Sequence, residues 1–131
     1  MHWRSLLALL TVLATPHRPT GDYERSLRVG GATRHYVVHL PPAAAGRRMP
    51  VVLLLHGSGG TGRQVALATG FSAEADRRGF VAVYPDGIGG AWNDGRTAGG
   101  ADDVAFVAAL LDTLARETAI HRGRVYLAGI S

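Results

Sequence analysis

The last residue of the chain is the one whose chemistry is most readily argued. Gly129-Ile130-Ser131 follows directly on the apolar run Val125-Tyr126-Leu127-Ala128. A serine at the tip of a strand, with small neighbours, can be held at a sharp strand-to-helix turn that exposes its hydroxyl for attack on a carbonyl. Such a nucleophile needs hydrogen-bond donors aimed at the oxygen on which negative charge develops. His56-Gly57-Ser58-Gly59-Gly60, after the apolar run Val51–Leu55, supplies a candidate: Gly57 sets the turn and the Ser58 N–H is the expected donor, with Gly57 beside it. The same loop carries a rival reading. Gly57-x-Gly59-x-x-Gly62 matches the dinucleotide-binding fingerprint, and Asp86 ends the next strand where a ribose-binding acid would stand. Against that rival, a hairpin precedes the first strand and a Gly-Ile-Ser strand end is left unexplained.

Other polar residues carry weaker signals. His56 is expected to order the glycine loop near a substrate cleft and not to act as the base. Trp92 offers an aromatic face to substrate, or a cover for the core. Asp86 and Asp94 read as turn residues, because in this kind of hydrolase the acid and histidine follow the serine in chain order. His35 and His39 would lie roughly 13 Å apart on one strand face, too far to share an ion, and no metal or cofactor is expected.

The elements that would position these residues follow from periodicity. Tyr23–Val29 and Thr33–Leu40 read as a hairpin around Gly30-Gly31. Val51–Leu55 is unbroken apolar sequence, as in a strand covered on both faces. A helix is expected over Gln64–Arg78, interrupted near Gly70, then a strand at Phe80–Tyr84 and a glycine-rich loop to Gly100. Asp102 can cap a helix whose core stripe is Val104, Val107, Ala108, Leu111, Leu114 and Thr118, widened by Phe106 and Leu110. A turn at His121–Gly123 leads to the last strand. Strand and helix alternate, so the fold class is α/β, a mostly parallel sheet with flanking helices.

Composition narrows the partners. The chain has 131 residues, 47% of them hydrophobic, enough for one compact core. Its net charge of +4 comes from scattered arginines without a basic stripe, which argues against nucleic acid. There is no cysteine, hence no disulfide and no thiolate metal site. Met1–Ala14 has a basic start, an apolar run and a small-residue end, the layout of a secretory signal peptide and too short to span a bilayer. A linker at 15–22 and one domain over 23–131 follow. The protein is expected to be extracellular, without stable membrane association.

Several ordered blocks resemble one family. Arg34–Pro42, Pro50–Gly60, Val83-Tyr84-Pro85-Asp86-Gly87, Trp92-Asn93-Asp94, Asp102–Phe106 and Val125–Ser131 are similar to the polyhydroxybutyrate depolymerases and feruloyl esterases, over about residues 28–131. The resemblance implies the N-terminal half of an α/β-hydrolase fold, with Ser131 as acyl-enzyme nucleophile and an ester substrate, either hydroxyalkanoate polyester or aryl ester of plant polysaccharide. Two departures stand out: Thr97-Ala98 where relatives often have cysteine, and His121-Arg122 where they often have Asp-Pro. The triad acid and histidine are absent from the sequence before Ser131, so this polypeptide as written is expected to be inactive. The alternatives are a dinucleotide-binding protein and a non-catalytic secreted binding module.

Overall fold

The computed structural model describes residues 20–44 and 46–131. The expected signal peptide lies outside the described residues. A five-stranded mixed sheet runs in the order β1-β2-β4-β3-β5. β1 (Gly21–Val29) and β2 (Ala32–Leu40) form the antiparallel hairpin, turned by Gly30 and Gly31, both at positive φ. β1 begins two residues before the expected strand, so Gly21 and Asp22 do not belong to a linker. Gly21 pairs with Leu40, and the Asp22 carboxylate meets His39 Nδ1 at 2.6 Å.

β2 lies antiparallel to β4 (Val81–Pro85), which is parallel to β3 (Met49–Leu55), which is parallel to β5 (Ile120–Gly129). β3 connects to β4 through α1 (Gly62–Thr69) and α2 (Phe71–Arg78). The interruption expected near Gly70 divides the helical stretch over 64–78 into two helices, because Gly70 adopts φ 61 and ends the first. Thr61 starts α1 with a capping box to Gln64. Gly79 ends α2, again left-handed. β4 connects to β5 through α3 (Asp103–Glu117), whose Ala105 N–H is accepted by the Asp102 side chain as expected.

Alternation along the strands splits the core in two. Val51, Leu53, Val81 and Val83 face α3, while Leu54, Ala82 and Tyr84 face α1 and α2. The stripe of α3 is rotated from the expected one. Phe106, Leu110 and Leu114 are its buried centre, whereas Val104 is 83% exposed and Ala108 is also exposed. Both flanks of this helix are apolar, so spacing alone left the phase open; the hairpin and sheet cover only one flank. Burial of Phe106 and Leu110 stabilises the helix–sheet contact by about 1.5–3 kcal/mol each.

The turn expected at His121–Gly123 is taken up in β5. Between Met49↔Ile120 and Val51↔Val125 the ladder shifts register, so the extra residues bulge and do not end the strand. β5 forms an edge of the sheet. Of its residues only Ile120 is buried.

Candidate active site

β3 and β5 end side by side. The Ile130 N–H donates to the Leu55 carbonyl at 3.1 Å, extending the parallel pairing one residue past the end of β5. Beyond it, Ser131 has φ 42, the one non-glycine residue at positive φ among the described residues. That φ is uncommon for an L-residue with a side chain. A Cβ placed on Gly57 would lie 3.1 Å from the Ile130 carbonyl oxygen and 3.8 Å from the Ser131 Cβ. The glycine turn and the serine therefore share the C-terminal edge of adjacent strands, where open α/β sheets bind ligands.

The turn is closed by a backbone hydrogen bond. The Gly60 N–H donates to the Gly57 carbonyl at 3.1 Å with Gly59 at φ 78, a glycine in the third place of the turn. The Gly59 N–H donates to the Gly90 carbonyl at 2.8 Å. A Cβ on Gly90 would meet the Gly59 Cα at 3.1 Å, so the two loops approach as closely as glycine permits. The Thr61 N–H is taken by Gln64 Oε1 and the Gly62 N–H by Asp86 Oδ1, at 2.6 Å. The loop amides left without such a bond are those of Gly57, which lies against Ile130 and Ser131, and of Ser58.

His56 is 2% exposed and both ring nitrogens are engaged. Nε2 accepts the Gly87 N–H at 2.9 Å, which requires the proton on Nδ1, and Nδ1–H donates to the Gly57 carbonyl at 2.7 Å. Trp92 stacks on this ring at 4.8 Å between centroids, and its Nε1–H donates to the His56 carbonyl at 2.9 Å. Both residues hold the loop in place. Trp92, half-buried, also borders an apolar groove beside α3.

A network not visible in the sequence secures this loop. Arg34, 2% exposed, donates to Asp103 Oδ1 at 2.6 Å and to the Asp86 carbonyl at 3.2 Å, with its guanidinium 4.0 Å from the Phe106 ring centroid. Asp103 Oδ2 accepts the Asn93 N–H at 2.6 Å, beside Trp92. The only signals in the sequence were the acidic pair Asp102-Asp103 and an arginine amid strand hydrophobics. Asp94 binds the Arg96 N–H and side chain at the surface and stands apart.

The other described histidines are remote from Ser131. His35 is exposed on β2, three strand spacings from β5, or roughly 14 Å. His39 lies between Asp22 and Asp76, its Nε2 2.8 Å from Asp76 Oδ1. His121 is at the far end of β5. No cluster of three metal-ligating side chains occurs among the described residues. No described helix is long and apolar enough to cross a membrane.

The dinucleotide reading is corrected by these contacts. Asp86, expected there as a ribose ligand, instead places its carboxylate on the first amide of α1. A pyrophosphate would need that same positive helix end and would be repelled by the Asp86 carboxylate that occupies it. The comparisons agree. NocK of Nocardia uniformis subsp. tsuyamanensis, assigned as an esterase, is 30% identical over 97% of this chain. The bifunctional acetylxylan esterase/xylanase XynS20E of Neocallimastix patriciarum is 34% identical over 84% of it. The chain spans 40% of the first relative and 16% of the second. Among solved structures, the fluorophosphonate-binding serine hydrolase FphF of Staphylococcus aureus superposes with a TM-score of 0.70 at 15% identity. A ferulic acid esterase superposes at 0.69 and 22% identity. Each alignment covers 86% of this chain and 48% of the other, and shows the shared α/β fold. Residues 34–131 match the family described as Esterase PHB depolymerase, to which this chain belongs.

Proposed function

We propose that the chain is the nucleophile-bearing part of a secreted carboxylic ester hydrolase. Ser131 Oγ attacks the ester carbonyl, the alcohol departs, and water then releases the acid from the acyl-serine. The Gly57 and Ser58 amides face the oxygen that becomes negative, together with the amide of the residue after the serine. The carrying observation is the close approach of Gly57 to Ile130 and Ser131 at the ends of adjacent strands. Covalent serine chemistry of this kind uses side chains and amides and needs no cofactor.

Serine nucleophiles of this kind work with a general base and an orienting acid that follow the serine in chain order. No described histidine reaches Ser131, so on this reading the base is not among the described residues. Acetylxylan and feruloyl esters, named for two of the similar proteins, and hydroxyalkanoate polyesters are the substrate classes to assay first. Export rests on Met1–Ala14, and sequencing the N-terminus of the exported protein locates any cleavage.

The test compares two proteins on p-nitrophenyl acetate. The 131-residue chain is expected to give background hydrolysis only. A chain extended through the rest of the domain is expected to turn over, and Ser131→Ala to lower kcat at least about a thousandfold with KM little changed. Unchanged turnover in Ser131→Ala, or serine-dependent turnover by the 131-residue chain, refutes the corresponding part.

A further inference from the structure

Between the β1–β2 turn, the loop after β4 and the start of α3 lies a pocket of about 380 Å³. Val29 and Ala32 of the hairpin, Ile88 after β4, and Ala101 and Ala105 beside the start of α3 give it apolar walls, and Arg34 completes its lining. The Arg34 Nη2 donates to Asp103 and to the Asp86 carbonyl, but its Nε is buried without a hydrogen-bond partner. A buried donor of this kind destabilises the fold until an acceptor meets it. We infer that the pocket is a remote subsite for an oligomeric substrate, holding an uncharged ester group whose carbonyl oxygen accepts the Arg34 Nε–H. The inference rests on the esterase reading of Ser131.

Charge selects the class of ligand. The Arg34 cation is matched by Asp103 at 2.6 Å, and Asp102 adds a second carboxylate to the lining. The pocket therefore has no surplus positive charge to hold an anion, and a cationic group brings no acceptor for the Nε–H. A sugar ring would bring several hydroxyls, which apolar walls strip of water without replacing it. An ester unit has acceptors only and an otherwise apolar body. That matches one donor set among valine, alanine and isoleucine side chains.

Register sets the pocket in line with the serine. The pairs Leu55↔Gly129, Leu53↔Val83 and Tyr36↔Pro85 align Gly129, Leu55, Pro85 and Tyr36 across four strands. Two residues further along, the same row holds Ser131, Gly57, Gly87 and Arg34. Arg34 thus stands three strand spacings from Ser131, roughly 14 Å. A β-hydroxyalkanoate unit adds four backbone bonds where an amino-acid residue adds three, so it extends roughly 4.5 Å. About three units span the row. The ester held at Arg34 is then the third from the one attacked at Ser131.

The experiment titrates the isotopically labelled 131-residue chain with the methyl ester of a linear β-hydroxybutyrate tetramer and follows backbone amides by NMR. Amides of Ile88, Ala101 and Ala105 are expected to shift with the same Kd as those of Gly57 and Ser58, since one molecule spans the row. The single-unit methyl ester is expected to bind at least about tenfold more weakly. Ile88→Asp, which sets a carboxylate on a 49% exposed wall, is expected to weaken tetramer binding at least about fivefold. Arg34→Lys keeps a cation for Asp103 but has no Nε–H, and is expected to weaken it as much while far-ultraviolet circular dichroism is retained. Leu67→Asp, on α1 across the sheet and 73% exposed, leaves binding unchanged. Ser131→Ala also leaves it unchanged, so failure of the nucleophile reading, which is read from turnover, is separable from failure of this one. Shifts confined to Gly57 and Ser58, or tetramer binding indifferent to Ile88→Asp, overturn the proposal. Tighter binding of acetylated xylotetraose at the same amides overturns it in favour of a sugar subsite.

Discussion

Gly62 is the position where local and tertiary physics predict opposite signs. It opens α1, has no left-handed φ, and by helix preference alone Gly62→Ala should stabilise the chain by up to about 1 kcal/mol. The fold forbids it. A Cβ there would stand 2.2 Å from the Tyr84 carbonyl oxygen and 2.7 Å from its carbon. Those are backbone atoms of a fully buried strand and cannot rotate away. To restore a contact of about 3.4 Å, the start of α1 must withdraw by about 1.2 Å. That takes the 2.6 Å bond from Gly62 N–H to Asp86 beyond hydrogen-bonding distance. Overpacking costs about 1–3 kcal/mol and a lost bond to a charged acceptor about 1.5–3 kcal/mol. Net of the helix preference, Gly62→Ala should destabilise by about 2–4 kcal/mol. Urea unfolding followed by far-ultraviolet circular dichroism measures it. Gly70→Ala is the control: φ is 61 but nothing lies within 4 Å, so conformation alone costs about 1–2 kcal/mol. A Gly62→Ala chain as stable as wild type would refute the close-approach argument.

Removing Arg34 as Arg34→Met leaves the Asp103 carboxylate, 12% exposed, with one amide partner and should cost about 3 kcal/mol. Combined with Asp103→Asn the loss should be smaller than the two single losses together by about 1–3 kcal/mol; strict additivity in a double-mutant cycle would show that the pair is not coupled. Trp92→Phe keeps the ring stacked on His56 but deletes its bond to the His56 carbonyl, and should lower stability by about 0.5–1.5 kcal/mol in the same unfolding assay. Burial raises the Tyr84 hydroxyl above its usual 10.0; the Ser72 hydrogen bond opposes this, and the Asp22 and Asp76 carboxylates add to the rise. The proton is thus held more tightly in the folded chain, so this contribution is whole below pH 10 and is lost as pH rises through the higher folded value. Tm measured upward from about pH 9 should fall less steeply in Tyr84→Phe.

Much of this molecule is legible as local pattern. Gly30-Gly31, Gly70 and Gly79 mark turns because only glycine takes left-handed φ without strain, and all four residues do so. Asp102 caps α3 because a carboxylate before an apolar period satisfies an orphan amide. The unbroken apolar runs Val51–Leu55 and Val81–Tyr84 mark strands covered on both faces. These features depend on residues a few positions apart, and sequence determined them. Tertiary structure decided which partner each buried polar group takes. Asp86 meets Gly62 and Arg34 meets Asp103 across 24 and 69 residues, distances over which no periodicity carries information. It also chose which of the two apolar flanks of α3 is covered, since that depends on where the hairpin and sheet stop. His56 shows both: its place beside the glycine turn is written in the chain, but its role as a brace appears only where Gly87 and Trp92 close on it.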